Sequence, residues 1–137
     1  MKTKTTLIAV LLFISFNISY GQWIQTSGPG GGCIHCFAVS GNNIFAGTES
    51  TVSQNGGVFL STNDGTSWTA VGLTNLYVQA LAVSGNYIFA GTNDGAYIST
   101  NNGTSWTADL FLENLDVTSF TISGSNIFAG TNFGLYK

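Results

Sequence analysis

Ile44-Phe45-Ala46-Gly47-Thr48 recurs as Ile88-Phe89-Ala90-Gly91-Thr92 and again as Ile127-Phe128-Ala129-Gly130-Thr131, at offsets of 44 and 39 residues. Ahead of the copies stand Ala38-Val39-Ser40-Gly41, Ala82-Val83-Ser84-Gly85 and Thr121-Ile122-Ser123-Gly124. A second motif, Ser61-Thr62-Asn63-Asp64-Gly65-Thr66-Ser67-Trp68-Thr69, returns as Ser99-Thr100-Asn101-Asn102-Gly103-Thr104-Ser105-Trp106-Thr107, at an offset of 38. Similarity at a fixed period marks a repeat array. The first unit carries its extra length at Glu49 to Asn55, a link six residues longer than the matching link from Thr92 to Gly95. Insertions confined to a link between strands are what such arrays tolerate.

Each unit reads as four short strands. In the middle copy they are Val78 to Ser84, Tyr87 to Gly91, Gly95 to Thr100 and Ser105 to Ala108. Gly85-Asn86 joins the first two, and Gly at the first turn position supplies the positive φ that a two-residue hairpin needs. The second strand does not alternate, because Ile88-Phe89-Ala90 is apolar on both faces; such a strand belongs in a sheet stacked between other layers. Four antiparallel strands every 38 to 45 residues predict an all-β fold of β-propeller blades. A parallel β-helix is the rival, with a repeat about half as long and without tight hairpins. Residues 22–137 hold two to three blades, and closure takes at least about four, so the ring is expected to be incomplete and the chain a piece of a longer propeller. Assembly of three such pieces into one ring is the competing expectation. Trp23-Ile24-Gln25 aligns with Trp106-Thr107-Ala108 as an outermost fourth strand, since Trp23 precedes Ala38 by fifteen residues and Trp106 precedes Thr121 by fifteen.

The segments Ser61-x-Asn63-x-Gly65-x-x-Trp68 and Ser99-x-Asn101-x-Gly103-x-x-Trp106 resemble the Asp-box, or bacterial neuraminidase repeat, which runs Ser-x-Asp-x-Gly-x-x-Trp. The resemblance covers essentially all of 23–137. It implies a hairpin between the third and fourth strands of a blade in a sialidase-like superfamily. Both copies carry Asn where the family has Asp; an Asn carbonyl accepts turn N–H groups as Asp does, and Asn tolerates the left-handed region. Trp68 and Trp106 are expected between blades with their N–H groups partnered. In families with this motif the hairpin lies away from the catalytic pocket, so Ser61, Asn63, Gly65, Trp68, Ser99, Asn101, Gly103 and Trp106 are architectural residues.

Only 7% of the residues are charged, and the cations are Lys2, Lys4 and Lys137, with no arginine. Without a basic patch there is no footprint for nucleic acid or anionic lipid. Lys2 and Lys4 precede the apolar run Leu7 to Ile14, and small residues at Ser19 and Gly21 flank Tyr20. This is the layout of a secretory signal peptide over 1–21, cleaved before Gln22, and it predicts secretion or a cell-envelope location without stable membrane insertion afterwards. The run is too short to span a hydrocarbon core of about 30 Å. Residues 22–137 then carry six carboxylates against Lys137, a formal net of −5.

The sialidase resemblance implies an arginine clamp on the substrate carboxylate and a tyrosine nucleophile with acidic partners. With no arginine the clamp maps onto no position, and Tyr77, Tyr87, Tyr97 and Tyr136 read as blade packing. Cys33-Ile34-His35-Cys36 is weak as a metal or redox motif, because C-x-x-C alone lacks a fourth zinc ligand. Cys36 matches Ala80 and Ser119, which suggests small buried residues for both cysteines, with a local disulfide as the alternative. His35 matches Gln79 and Thr118, an exposed strand position. Calcium would explain Asn63-Asp64-Gly65 but not Asn101-Asn102-Gly103, which has no carboxylate. The sequence thus predicts no catalytic, metal or cofactor site. The expected function is a non-enzymatic structural or recognition module for a protein or glycan partner. The alternative is the N-terminal part of a sialidase-like glycoside hydrolase whose catalytic residues lie beyond Lys137.

Overall fold

The computed structural model describes residues 23–30, 32–51 and 55–137; the expected signal peptide at 1–21 lies outside them. The described residues form strands and turns without a helix, so none is long and apolar enough to cross a membrane. Sheet 1 contains β1 (Ile34–Ser40), β2 (Asn43–Thr48), β3 (Gly57–Ser61) and β4 (Thr69–Gly72). Sheet 2 repeats it with β5 (Val78–Ser84), β6 (Tyr87–Thr92), β7 (Gly95–Ser99) and β8 (Thr107–Ala108). Sheet 3 has three strands, β9 (Val117–Ser123), β10 (Asn126–Thr131) and β11 (Gly134–Tyr136). Every sheet is an antiparallel meander in chain order.

The two-residue turns behave as their chemistry requires. Gly41, Gly85 and Gly124 sit at φ of 59, 58 and 60°, while Asn42, Asn86 and Ser125 stay in the ordinary half of φ space. Positive φ at the first position alone is the hairpin turn that demands glycine there. The turn after each second strand is closed by the threonine of the Gly-Thr pair. Thr92 Oγ1 donates to Gly95 O at 2.9 Å and accepts from Asp94 N at 3.0 Å. Thr48 and Thr131 repeat the device at the links to Gly57 and Gly134. Thr48 and Thr92 are fully buried, so these hydroxyls satisfy backbone groups that water cannot reach.

The sheets stack face to face, β1 against β5 and β5 against β9. Phe45 and Val58 of sheet 1 meet Val78, Ile88 and Ala90 of sheet 2 in one core; Ala96 of sheet 2 meets Val117 and Ala129 of sheet 3, with Leu112, in the other. Burying a Val or Ile of this kind contributes about 1.5–3 kcal/mol. The approach is close enough to dictate glycine. A Cβ built on Gly91 would stand 2.6 Å from Val117 O, and one on Gly47 would stand 2.7 Å from Val78 Cγ1.

Residues 23–25 enter no strand, and Trp23 and Ile24 are exposed. The fourth strand expected of Trp23-Ile24-Gln25 is thus not formed among the described residues. Gly28 abuts the Trp68 ring, its would-be Cβ 3.4 Å from Cδ1, as Gly72 abuts the ring of Trp106.

Gly91→Ala should therefore lower unfolding stability by about 1–3 kcal/mol, the range for overpacking. Gly30→Ala, with nothing within 4 Å, should stay within about 0.5 kcal/mol of the parent. Urea denaturation of the two variants measures the difference.

Candidate functional site

Every first strand carries a bulge at one register position. Ile34 pairs with Thr48 and Cys36 with Gly47, leaving His35 unpaired; Gln79 and Thr118 are left over in the same way. A bulge re-aims the side chain that it frees. Here it turns His35 and Gln79 toward the residue that enters the next sheet. Tyr77 Oη and His35 Nδ1 are 3.2 Å apart, and the two rings meet edge to face with centroids 4.5 Å apart. His35 Nε2 faces Glu49 Oε2 at 3.4 Å. One sheet further on, Gln79 Nε2 donates to Asp116 Oδ1.

The backbone beneath these side chains is fixed by two-way bonds. Tyr77 N donates to Asn93 Oδ1 at 3.0 Å and Asn93 N donates back to Tyr77 O at 3.3 Å. Asp116 and Asn132 repeat the exchange at 3.1 Å each way. In sheet 1 the matching residue is Glu49, whose N–H bonds Cys33 O at 3.0 Å while its carboxylate turns to His35. The corner therefore gathers an imidazole, a phenol, two carboxylates and several amides at the end of the first strands. Partial burial, then the charges of Glu49, Asp116 and Cys33, hold the Tyr77 phenol above its usual value.

The eight residues of the Ser-x-Asn-x-Gly-x-x-Trp hairpins lie elsewhere, on the outer side of sheets 1 and 2. Ser99 Oγ is buried and accepts from Gly103 N at 2.9 Å and Asn101 N at 3.4 Å while donating to Asn101 Oδ1 at 3.1 Å. Asn101 Oδ1 accepts from Ser105 N at 2.9 Å, and its Nδ2 donates to Ser105 Oγ at 2.9 Å. Ser61, Asn63, Gly65 and Ser67 make the same set. The left-handed residue is not Asn63 or Asn101 but its successor: Asp64 and Asn102 have φ of 54 and 55°, followed by Gly65 and Gly103 at 79 and 81°. Trp106 reaches across to the neighbouring sheet, donating Nε1–H to Val71 O at 3.1 Å, whereas Trp68 bonds Gly65 O of its own turn at 3.1 Å.

Several expectations need correction. Tyr77 is a corner residue and not blade packing, and Tyr87 is 52% exposed; Tyr97 does pack against the first core. Cys33 is exposed and only Cys36 is partly buried; both thiols are free. His35 is exposed, as its register match to Gln79 and Thr118 suggests, and the bulge adds two side-chain partners, Tyr77 and Glu49. Among the described residues no three His, Cys, Asp or Glu side chains converge to hold a metal ion. A cavity of about 430 Å³ beside Gly30, Phe59, Ala70 and Thr74 is lined mainly by apolar groups.

Antiparallel four-stranded units stacked face to face around their first strands are blades of a β-propeller. The model of the DUF6242 beta propeller domain matches residues 15–130, and the chain belongs to that family. The crystal structure of an ancestral GH74 enzyme is similar over 76% of this chain, at 30% identity and a TM-score of 0.63, but this chain spans only 14% of that one. The computationally designed Ika4 protein is similar at 15% identity and a TM-score of 0.49, over 85% of this chain and 98% of that chain. No curated protein matches.

Ser99→Ala strips a buried acceptor from two N–H groups and should cost about 1–3 kcal/mol in unfolding stability. Burial lifts the Cys36 thiol from 9.0 to about 11, so the unfolded chain loses its proton first. The stability this thiol supplies is complete below pH 9.0 and is lost as pH rises through about 11. Cys36→Ala should flatten the parent's decline between those pH values in a pH series of thermal melts.

Proposed function

We propose that this chain is an exported, non-enzymatic recognition module of the Asp-box type, and that the corner around Tyr77 binds a neutral glycan. The observation that carries the reading is the pairing of His35 with Tyr77 and Glu49 beside that of Gln79 with Asp116. Sugar hydroxyls need donors and acceptors side by side, and amides, carboxylates and a phenol offer both. An aromatic edge supplies the apolar contact that a sugar ring presents. With no arginine and an acidic balance, an anionic ligand would meet repulsion and no bidentate clamp. The likeness to the GH74 enzyme supports a carbohydrate over a protein ligand. It also supports a second reading, in which these blades are the N-terminal part of a glycoside hydrolase whose catalytic carboxylates lie outside them.

Calorimetric titration of the full chain with a panel of neutral oligosaccharides tests both. Binding that weakens about tenfold in Tyr77→Ala, with thermal stability retained, is the expected outcome, since a hydrogen bond between neutral groups is worth about 0.5–1.5 kcal/mol and the ring contact adds to it. Absence of binding, or equal binding by the variant, removes the reading, and release of reducing ends moves it to the hydrolase.

A further inference from the structure

His35 is the only histidine of the chain, and the bulge in β1 sets its ring between two partners of different capacity. On one side Nε2 faces Glu49 Oε2 at 3.4 Å. An ionised carboxylate accepts hydrogen bonds and donates none, so Nε2 carries a hydrogen whether the ring is neutral or charged. On the other side Nδ1 lies 3.2 Å from Tyr77 Oη. A phenol both donates and accepts, and the direction of this second bond is set by the proton on Nδ1. In the neutral ring Nδ1 is a bare lone pair and Tyr77 donates to it. In the imidazolium Nδ1 donates, Tyr77 Oη accepts, and the phenolic hydrogen turns to the opposite side of the oxygen. Each state keeps both hydrogen bonds, so the change deprives no group of a partner.

The groups around His35 leave this change to the imidazole. Glu49 follows β2, Tyr77 precedes β5 and Cys33 precedes β1. Cys33, Glu49 and Asp116, the last ahead of β9, stand close enough for their charges to act on the Tyr77 phenol. Carboxylic acids ordinarily titrate near about pH 4, and thiols and phenols above about pH 8. An imidazole changes charge between about pH 5 and 8. One sheet further on, the same bulge position holds Gln79, an amide that does not titrate, bonded to Asp116. Of two corners built alike, the first answers to protons and the second does not. The bond between Tyr77 and His35 is exposed, so the phenol oxygen meets whatever enters the corner.

Resting on the glycan reading of this corner, we propose that His35 determines specificity by fixing whether Tyr77 accepts a hydrogen bond from the ligand or donates one to it. With His35 neutral, the Tyr77 hydrogen is engaged and the phenol oxygen takes a bond from a sugar hydroxyl. With His35 charged, the phenol donates, and it pairs with an oxygen that carries lone pairs alone, such as the carbonyl of an O-acetyl ester. Plain oligosaccharides are therefore favoured at neutral pH, and O-acetylated ones gain on them in acid. His35 acts through Tyr77 and needs no contact of its own with the sugar.

Two measurements on the full chain test this. The first needs no ligand: the ring nitrogens of the single histidine are followed by nitrogen-15 correlation spectra from pH 8 to 5. The neutral ring is expected to carry its hydrogen on Nε2, and the Tyr77 Cζ shift should follow the same titration. In His35→Gln, which copies the Gln79 position, that Cζ shift should stay flat over this range. In Glu49→Gln the neutral ring should gain the Nδ1–H tautomer. The second measurement is calorimetric titration with xylotetraose and mannotetraose, each plain and O-acetylated. The affinity ratio of acetylated to plain sugar should rise about threefold to tenfold between pH 8 and 5, the worth of one neutral hydrogen bond, and should not change in His35→Gln. A neutral ring protonated on Nδ1 in the parent, or a Tyr77 shift that ignores the imidazole, overturns the proposal whatever binds. A ratio indifferent to pH, or one that changes equally in His35→Gln, overturns it as well. If none of the sugars binds while the nitrogen shifts behave as expected, the glycan reading is what fails, and the selection of ligands falls with it.

Discussion

The contact between the Gly-Thr step of one sheet and the first strand of the next governs this structure. At Gly47 and Gly91 the following strand comes so near that no Cβ fits, and Val78 and Val117 pass directly over bare backbone. Interiors are packed to crystal density, so a gap of one methylene at this point would be felt through the whole stack. The threonine of the same pair closes the adjoining turn from inside the core. One dipeptide thus sets both the spacing between sheets and the exit of the second strand.

The corner chemistry is a consequence of that spacing. With the first strands pressed together, a bulge in each one projects its freed side chain to the entry of the next sheet, which is how His35 finds Tyr77 and Gln79 finds Asp116. The outer side is secured separately by the serine-asparagine hairpins, in which Ser61 and Ser99 each satisfy two turn N–H groups. A polar corner held by one network, and sheet spacing held by another, leaves the corner free to vary in chemistry without cost to the stack.

The repeat made the strands legible almost to the residue: the first strand of the middle unit is Val78–Ser84, as its apolar pattern and the Gly85 turn require. The Trp106 contact followed from the motif too. The bulge did not, because a one-residue insertion in a strand leaves no periodic trace when all units share it. The register match placed His35 at an exposed strand position, which it occupies, but gave no sign of its partners, and Tyr77 read as packing. The left-handed position also moved by one, from Asn101 to Asn102, since Asn101 spends its side chain on the N–H of Ser105 instead of its own backbone freedom. Cys33 was misplaced for a simpler reason: it precedes β1 and has no counterpart in a strand.

The most direct test of the account is a methyl-labelled nuclear Overhauser spectrum of the folded chain. Cross-peaks from the Gly47 Hα protons to the Val78 methyls and from the Gly91 Hα protons to the Val117 methyls are predicted, of an intensity that only van der Waals contact produces. Their absence, with intact cross-strand peaks within each sheet, would contradict the stacking on which everything else depends.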